Sequence, residues 1–365
     1  MRVIAVEPVV VAVPLKAPVR GVHGTVATQR SVLVRVAAAD GVEGWGNVDP
    51  VVGYSTVSAD EVASAIGRLA PALLGADALN PQRALVAMDA VVEGTLEAKA
   101  AVEMALLDLA GHVLGVPVTT LLGGRVRDEV HFNAWIGTVP PDQAAREAEE
   151  WVARGFRSAK IKVDGATEEG LARVAAVRAA VGDRLALRVD FNESLAPAEA
   201  VPFIRRLEPY ALALVEQPIP RDQIPGLAEI RRGIGIPLMA DESVTDPASL
   251  IDIIRREAAD LVKVKVMKQG GFLRTRAMIE CAAAAGLRVV VGHGFGLTPS
   301  TLAEAALAAV SEAVIDGCEA VGPLKMAGDV VAKPVSLDTG TLHLAAAPGL
   351  GAPIDLDALE RYRVG

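Results

Sequence analysis

Five charged residues in the middle of this 365-residue chain recur at a spacing that chemistry could use. Lys162, Asp190, Glu216, Asp241 and Lys265 follow one another at intervals of 28, 26, 25 and 24 residues, each at the end of a short apolar run. Three carboxylates delivered to one place repel one another unless a cation sits among them. An oxygen-only ligand set selects a hard ion, Mg²⁺ or Mn²⁺. The lysines add acid–base chemistry. In Lys160-Ile161-Lys162 the two-residue period of a strand puts both ammonium groups on one face and Ile161 on the other. Lys265, three strand positions further round a barrel from Asp190, faces Lys162 across the mouth. Two amines flanking one substrate can remove a proton from one face and return it to the other, and crowding with burial lowers a lysine pKa toward that task. A lone charge at a strand end is more often a rim residue. Five at this spacing, with alternating chemistry, are not accounted for that way. Lys263 shares a face with Lys265 and reads as a partner for a ligand carboxylate; Lys268 reads as a rim lysine.

Elements that would carry these residues are legible around them. From Val130 onward short apolar runs alternate with helical patterns: 130–136 then helix 141–154, 158–163 then 168–181, 186–191 then 197–207, 211–215 then 224–232. The series continues with 237–240 then 246–256, 261–266 then 272–285, 288–291 then 301–310, and a last short strand near Glu319-Ala320-Val321. This count and regular phase predict a (β/α)7–8 barrel of TIM type rather than an open sheet. No Gly-x-Gly-x-x-Gly follows the first strand, which argues against a dinucleotide-binding fold. The N-terminal part differs. Val-rich strands are expected at 3–13 and 31–37, with Ala39-Asp40-Gly41 as a hairpin turn and Gly21–Thr28 as a polar, mobile loop. Helices follow at 60–74, 82–92 and 97–114, the last stopped by Gly115 and Pro117. Residues 1–125 thus read as an α+β capping domain, 126–328 as the barrel, and the tail 329–365 as packing back on the cap.

Composition excludes several classes. With 36 Lys and Arg against 45 Asp and Glu the net charge is −9, and no basic run is present, so a nucleic-acid partner is not expected. The mean hydropathy of +0.37 comes from Ala and Val broken by charges, short of the roughly 20 uninterrupted apolar residues a membrane span needs. Met1–Leu15 carries Arg2 and Glu7 and alternates like a strand, unlike a signal peptide. Cys281 and Cys318 are too few for a disulfide framework or a cysteine metal site. The expectations are a cytoplasmic homo-oligomer acting on a small carboxylate, with no membrane or nucleic-acid partner.

In combination these motifs resemble the enolase superfamily and, within it, the muconate lactonizing enzyme subgroup. Ala98–Leu109 with Gly115-Val116-Pro117 and Leu121–Gly124 is similar to the helix joining capping domain to barrel. Lys160-Ile161-Lys162 resembles the Lys-x-Lys element of the second strand. Arg188–Asn192, Val215–Pro218 and Ala240–Ser243 resemble the three ligand strands, and Asp260–Lys265 with Met267–Gly271 the sixth strand and its lysine. The resemblance implies Mg²⁺ (or Mn²⁺) on Asp190, Glu216 and Asp241, with Lys162 and Lys265 as the acid–base pair and Lys160 assisting. It implies abstraction of an α-proton to a stabilised enolate, as a cycloisomerase or as a racemase or epimerase of N-substituted amino acids. It also implies a cap closing over the substrate through Gly21–Thr28.

Two departures bear on the substrate. Lys263 stands where Asn is expected, and the seventh strand ends Gly292-His293-Gly294-Phe295-Gly296 where relatives tend to have Met-Leu-Glu. Substrate contacts are therefore assigned to Asn192, His293, Phe295, Val22 and Val26, with Leu297 also at the mouth. That lining is mostly apolar, which points to a muconate or an N-substituted amino acid rather than a polyhydroxylated acid. A sugar-acid dehydratase of the mandelate racemase type is the second reading. It would use His293 with an acidic partner, but that partner's position holds Lys265. A non-catalytic barrel scaffold is the third, and retention of all three carboxylates and both lysines argues against it.

Overall fold

The computed structural model describes residues 1–21, 24–51 and 54–364; Val22, assigned above to the substrate, lies outside them. The cap begins with an antiparallel sheet of β1 (Val3–Gly21), β2 (Gly24–Ala38) and β3 (Glu43–Val48) in that order. The first two strands run well past the expected limits. Beyond Pro14–Thr28 the ladder slips once and resumes at Val19–Val26, so Thr25–Thr28 are strand residues rather than a loop. Val19, Thr25, Val26 and Thr28 are β-branched, and pairing gives their backbone groups partners that a loop would lack.

Behind the sheet lie α1 (Ala59–Leu73), α2 (Pro81–Val91), α3 (Leu96–Leu114) and the single turn α4 (Val118–Leu121). Helix α1 starts at a Ser58–Glu61 capping box and buries Val62, Ile66, Leu69 and Leu73, one stripe at helical spacing. β3 lies so close on α3 that a Cβ at Gly46 would fall 1.9 Å from the Ala101 carbonyl oxygen, and one at Gly44 2.2 Å from that of Ala105. Only glycine permits that approach, which sets where the residues after β3 emerge.

The barrel is built from β5 (Ala134–Ile136), β6 (Ser158–Lys162), β7 (Ala186–Asp190), β8 (Leu214–Glu216), β9 (Leu238–Ala240), β10 (Leu261–Val264) and β11 (Arg288–Val291), all parallel and neighbouring in chain order. Between them run α5 (Pro141–Ala153), α6 (Glu168–Val181), α7 (Pro197–Arg205), α8 (Ile224–Gly233), α9 (Pro247–Arg255), the short α10 (Val266–Gln269) and α11 (Phe272–Ala284). After β11 come α12 (Thr298–Ala309) and the turn α13 (Gly322–Lys325).

The expected run 130–136 divides in two. Its first half, β4 (Glu129–His131), pairs antiparallel with β12 (Thr341–His343), and only the second half joins the barrel. The eighth barrel position holds an irregular segment instead of a regular strand. Ile315 and Glu319 donate backbone hydrogen bonds to Val289 and Val291 on one side, and Asn133 donates to Cys318 on the other. The barrel therefore closes at this seam. The tail is shared between two neighbours: β12 lies on β4, whereas the end of α14 (Leu356–Tyr362) leads Val364 to the Val10 carbonyl of β1.

Candidate active site

Strand alternation explains why the charges point inward. Val189, Val215, Leu238, Ala240, Val262 and Val264 are buried in the main core cluster, where the helices pack. The alternate residues Leu214, Met239, Leu261 and Val290 form a separate small cluster inside the barrel. Continuing that inner set by two residues reaches Glu216, Asp241 and Lys263, then Lys265. Lys160, Lys162 and Asp190 are placed by the same rule on β6 and β7.

The structure brings these residues together at one end of the barrel. Lys162 Nζ lies 2.6 Å from Asp190 Oδ2 and also donates to the Asn192 side-chain oxygen. Lys160 Nζ meets Asp190 at 3.1 Å, Glu216 at 3.2 Å and Glu319 at 2.5 Å. Lys263 Nζ meets Glu216 at 3.0 Å and Glu319 at 2.5 Å, the carboxylate-partner role expected of it. On the far side Lys265 Nζ lies 2.8 Å from Asp241 Oδ2 and 3.5 Å from the centre of the Tyr54 ring, whose hydroxyl donates to Asp241 Oδ1 at 3.0 Å.

Charges shift one another strongly here. Burial works to raise the Asp190 carboxyl, but Lys162, Lys160 and Lys263 outweigh it and hold it well below the usual range. Burial, then the Asp190 charge, push Glu216 up to about 8 despite Lys160 and Lys263. Burial brings Lys265 down to about 7, helped by Lys263 and Lys268 and opposed by Asp241. Burial and the nearby Asp241 and Asp190 charges raise Glu242 to about 7; Asn192 donates to its Oε1, and its buried Oε2 has no partner.

Whether a divalent ion fits can be judged from this donor set. Among the described residues no group of three such ligands stands closed to ion-binding geometry; each carboxylate is turned to an ammonium group instead. Those ammonium groups supply positive charge to the crowded carboxylates. Asp190, Glu216 and Asp241, from the ends of three adjacent strands, offer only oxygen, so they fit a hard cation.

Several expectations need correction. Lys268 is not a rim residue: its half-buried side chain donates to Asp241 Oδ1 and to the backbone oxygens of Asp241 and Lys263, because α10 folds it back over β10. Leu297 does not reach the mouth; it is fully buried with Val11, Val13, Leu33 and Met326 between cap and barrel. The mouth is mostly apolar in surface, with Lys325 and Asp49 added to its charged groups. A cavity of about 160 Å³ is lined by Val19, Val26, Tyr54, Trp135, Phe295 and Met267 together with the charged groups. Of the assigned contacts, Asn192, His293, Phe295 and Val26 line it. His293 is buried, its Nε2 3.9 Å from Asp49 Oδ2, and burial followed by Lys265 and Lys263 pushes it down to about 3.

Glu319, Asp49, Tyr54 and Trp135 were missed. Glu319 carried a usable signal. His293 and Glu319 continue the interval series after Lys265 in steps of 28 and 26 residues. Asp49 and Tyr54 come from the cap, where no spacing links them to the barrel.

The fold and this constellation define an enolase-type barrel with its capping domain. Residues 3–123 match the family "Mandelate racemase / muconate lactonizing enzyme, N-terminal domain", and residues 143–358 match "Enolase C-terminal domain-like". An L-Ala-D/L-Glu epimerase of Bacillus subtilis is 35% identical over 357 residues, 96% of both chains. The structure of muconate lactonizing enzyme from Pseudomonas fluorescens complexed with muconolactone superposes with a TM-score of 0.96 at 32% identity, over 100% of this chain and 99% of that one. A dipeptide epimerase from Enterococcus faecalis complexed with Mg and L-Leu-L-Tyr gives 0.93 at 29%, over 97% and 100%. The chain belongs to the enolase superfamily, in its muconate lactonizing enzyme subgroup, and is an isomerase of that superfamily.

Proposed function

We propose that the enzyme moves the proton α to a substrate carboxylate, as a cycloisomerase or as a racemase or epimerase of N-substituted amino acids. Lys162 and Lys265 are the acid–base pair, and Asp190, Glu216 and Asp241 hold the ion. The observation that carries this reading is the placement of the two lysines. In the barrel order β5 to β11, β6 and β10 flank the three ligand strands symmetrically, so their amines reach one substrate carbon from opposite sides. A divalent cation, usually Mg²⁺ in this superfamily, would supply the charge that stabilises an enolate. Lys160, held by Asp190, Glu216 and Glu319, stays protonated and adds positive charge to the same wall. Asn192 positions the Lys162 amine, and Tyr54 lies under that of Lys265. The paired strands around Val19 and Val26 cover the cavity and keep water from it. The same reading takes 1–125 as the cap, 126–328 as the catalytic barrel with the tail 329–365 shared between them, and the molecule as a cytoplasmic homo-oligomer.

The test is α-proton exchange in D₂O with each enantiomer of an N-acylamino acid and Mg²⁺. Lys162→Ala and Lys265→Ala should each lose exchange of one enantiomer by at least about 100-fold and keep more of the other. Equal losses for both enantiomers in both variants would replace the two-sided scheme with a single base.

A further inference from the structure

Lys325 is the cavity lysine that the proposed proton transfer leaves unused. Lys160, Lys162, Lys263, Lys265 and Lys268 each lie against a carboxylate. Among the described residues, Lys325 has none within ion-pair distance. Its Nζ donates one hydrogen bond, to the Gly294 carbonyl at 2.8 Å, and rests 4.2 Å from the centre of the Trp135 ring and 4.6 Å from that of Phe295. It is 8% exposed and lines the cavity. An ammonium group has three donors, so two remain unused between the rings.

Its place in the barrel gives this free cation a direction. Trp135 is on β5, Phe295 follows β11, and Lys325 follows the irregular segment that joins those two strands. Counting that seam as the eighth position, it lies diametrically opposite β8, the middle one of the three carboxylate strands. Lys162 on β6 and Lys265 after β10 lie on the two remaining sides. A substrate whose α-carboxylate meets the carboxylate strands, and whose α-carbon lies between the two amines, directs its far end at Lys325.

We propose that Lys325 is the subsite for a second anionic group on the substrate, so that the enzyme selects acids carrying an anion at the far end over those ending in a methyl or an ammonium group. The assignment rests on the proposed position of the α-carboxylate. Glu319, on the seam itself, does not compete for the site, since Lys160, Lys263 and Arg188 already hold it. Burial, with Lys162 and Lys160 behind it, lowers the Lys325 amine well below its usual range; an arriving anion reverses that balance. Trp135 and Phe295 exclude water from the resulting pair, which strengthens it. A dipeptide with a free amino end would bring a second cation to Lys325.

Three matched probes separate the cases: N-succinyl-, N-butanoyl- and β-alanyl-L-alanine, which end in carboxylate, methyl and ammonium. Binding is measured by calorimetry with Mg²⁺ present, and α-proton exchange by NMR in D₂O. The succinyl compound should bind at least about tenfold tighter than the butanoyl one and tighter still than the β-alanyl one. In Lys325→Met the succinyl-to-butanoyl ratio should fall below about threefold with butanoyl affinity nearly unchanged, while Lys325→Arg keeps most of the preference. Equal binding in the unaltered enzyme, a ratio unmoved by Lys325→Met, equal weakening of both ligands, or no binding of any probe overturns the assignment. Selective binding without α-proton exchange defeats the proton-transfer reading and leaves Lys325 assigned. Exchange at equal rates and affinities defeats the Lys325 assignment alone.

Discussion

Glu216 is fully buried, with Lys263 at 3.0 Å from one carboxylate oxygen and Lys160 at 3.2 Å from the other. Burial, then the Asp190 charge beside it, work against its ionisation. A bound dication relieves that repulsion, so its binding energy appears as stability of the folded state. At about 100 times its dissociation constant the gain is about 2.7 kcal/mol. Thermal melts should therefore rise with Mg²⁺ and fall with EDTA, and Glu216→Gln should abolish most of the difference. A melting curve indifferent to EDTA in the unaltered protein would argue against an ion at this position.

Among elements, α3 has a double duty: it carries β3 on one side and caps a barrel helix on the other. The Glu103 carboxylate accepts hydrogen bonds from the backbone of Phe272 at 2.7 Å and Leu273 at 2.9 Å, satisfying the first turn of α11. Gly271, at φ +119°, makes room: a Cβ there would lie 2.5 Å from Glu103 Oε2. Burial raises Glu103 to about 7, opposed by the two backbone donors. The folded state thus holds this proton more tightly than the unfolded chain does. The contribution is complete below about pH 4.5 and is lost as pH rises through 7, up to about 3 kcal/mol. Glu103→Gln removes that titration and keeps one acceptor. Denaturant unfolding at pH 5 and pH 8 should show the unaltered protein losing more stability than the variant across the interval. Parallel losses would mean that Glu103 is ionised throughout.

For the whole molecule, the decisive feature is that the cavity has walls from both domains. Val19, Val26, Asp49 and Tyr54 come from the cap, and the lysines and carboxylates from the barrel. Tyr54 is tied to Asp241, and Leu297 with Met326 packs against Val11, Val13 and Leu33 across the domain boundary. A ligand that fills the cavity therefore bridges the two bodies and should order the hairpin over it. Hydrogen exchange at Thr25–Thr28 should slow when N-succinyl-L-alanine and Mg²⁺ are added together. Unchanged exchange at ligand saturation would remove the hairpin from any closing role.

Strand alternation and the interval of one βα unit are properties of the local chain. Lys160, Lys162, Asp190, Glu216, Asp241 and Lys265 could accordingly be placed on one inner surface of a barrel from the sequence alone; helix 168–181 lies where its pattern put it, and the one expected at 141–154 ends one residue earlier. The same periodicity carries on past Lys265 to His293 and Glu319, a signal that the reading of the sequence left unused. It was silent wherever the outcome depended on which segments meet. The division of 130–136 follows from β12 competing for β4. The extension of β1 and β2 to Gly21 and Gly24 follows from each offering the other a partner. Asp49, Tyr54 and Lys325 reach the cavity because the cap lies over the barrel and the seam closes beside β5. A residue's own neighbours in sequence determine the face it takes on a strand; which other face it meets is settled by packing against another segment, near in the chain for β1 and β2 and far from it for β4 and β12, and no local period records that choice.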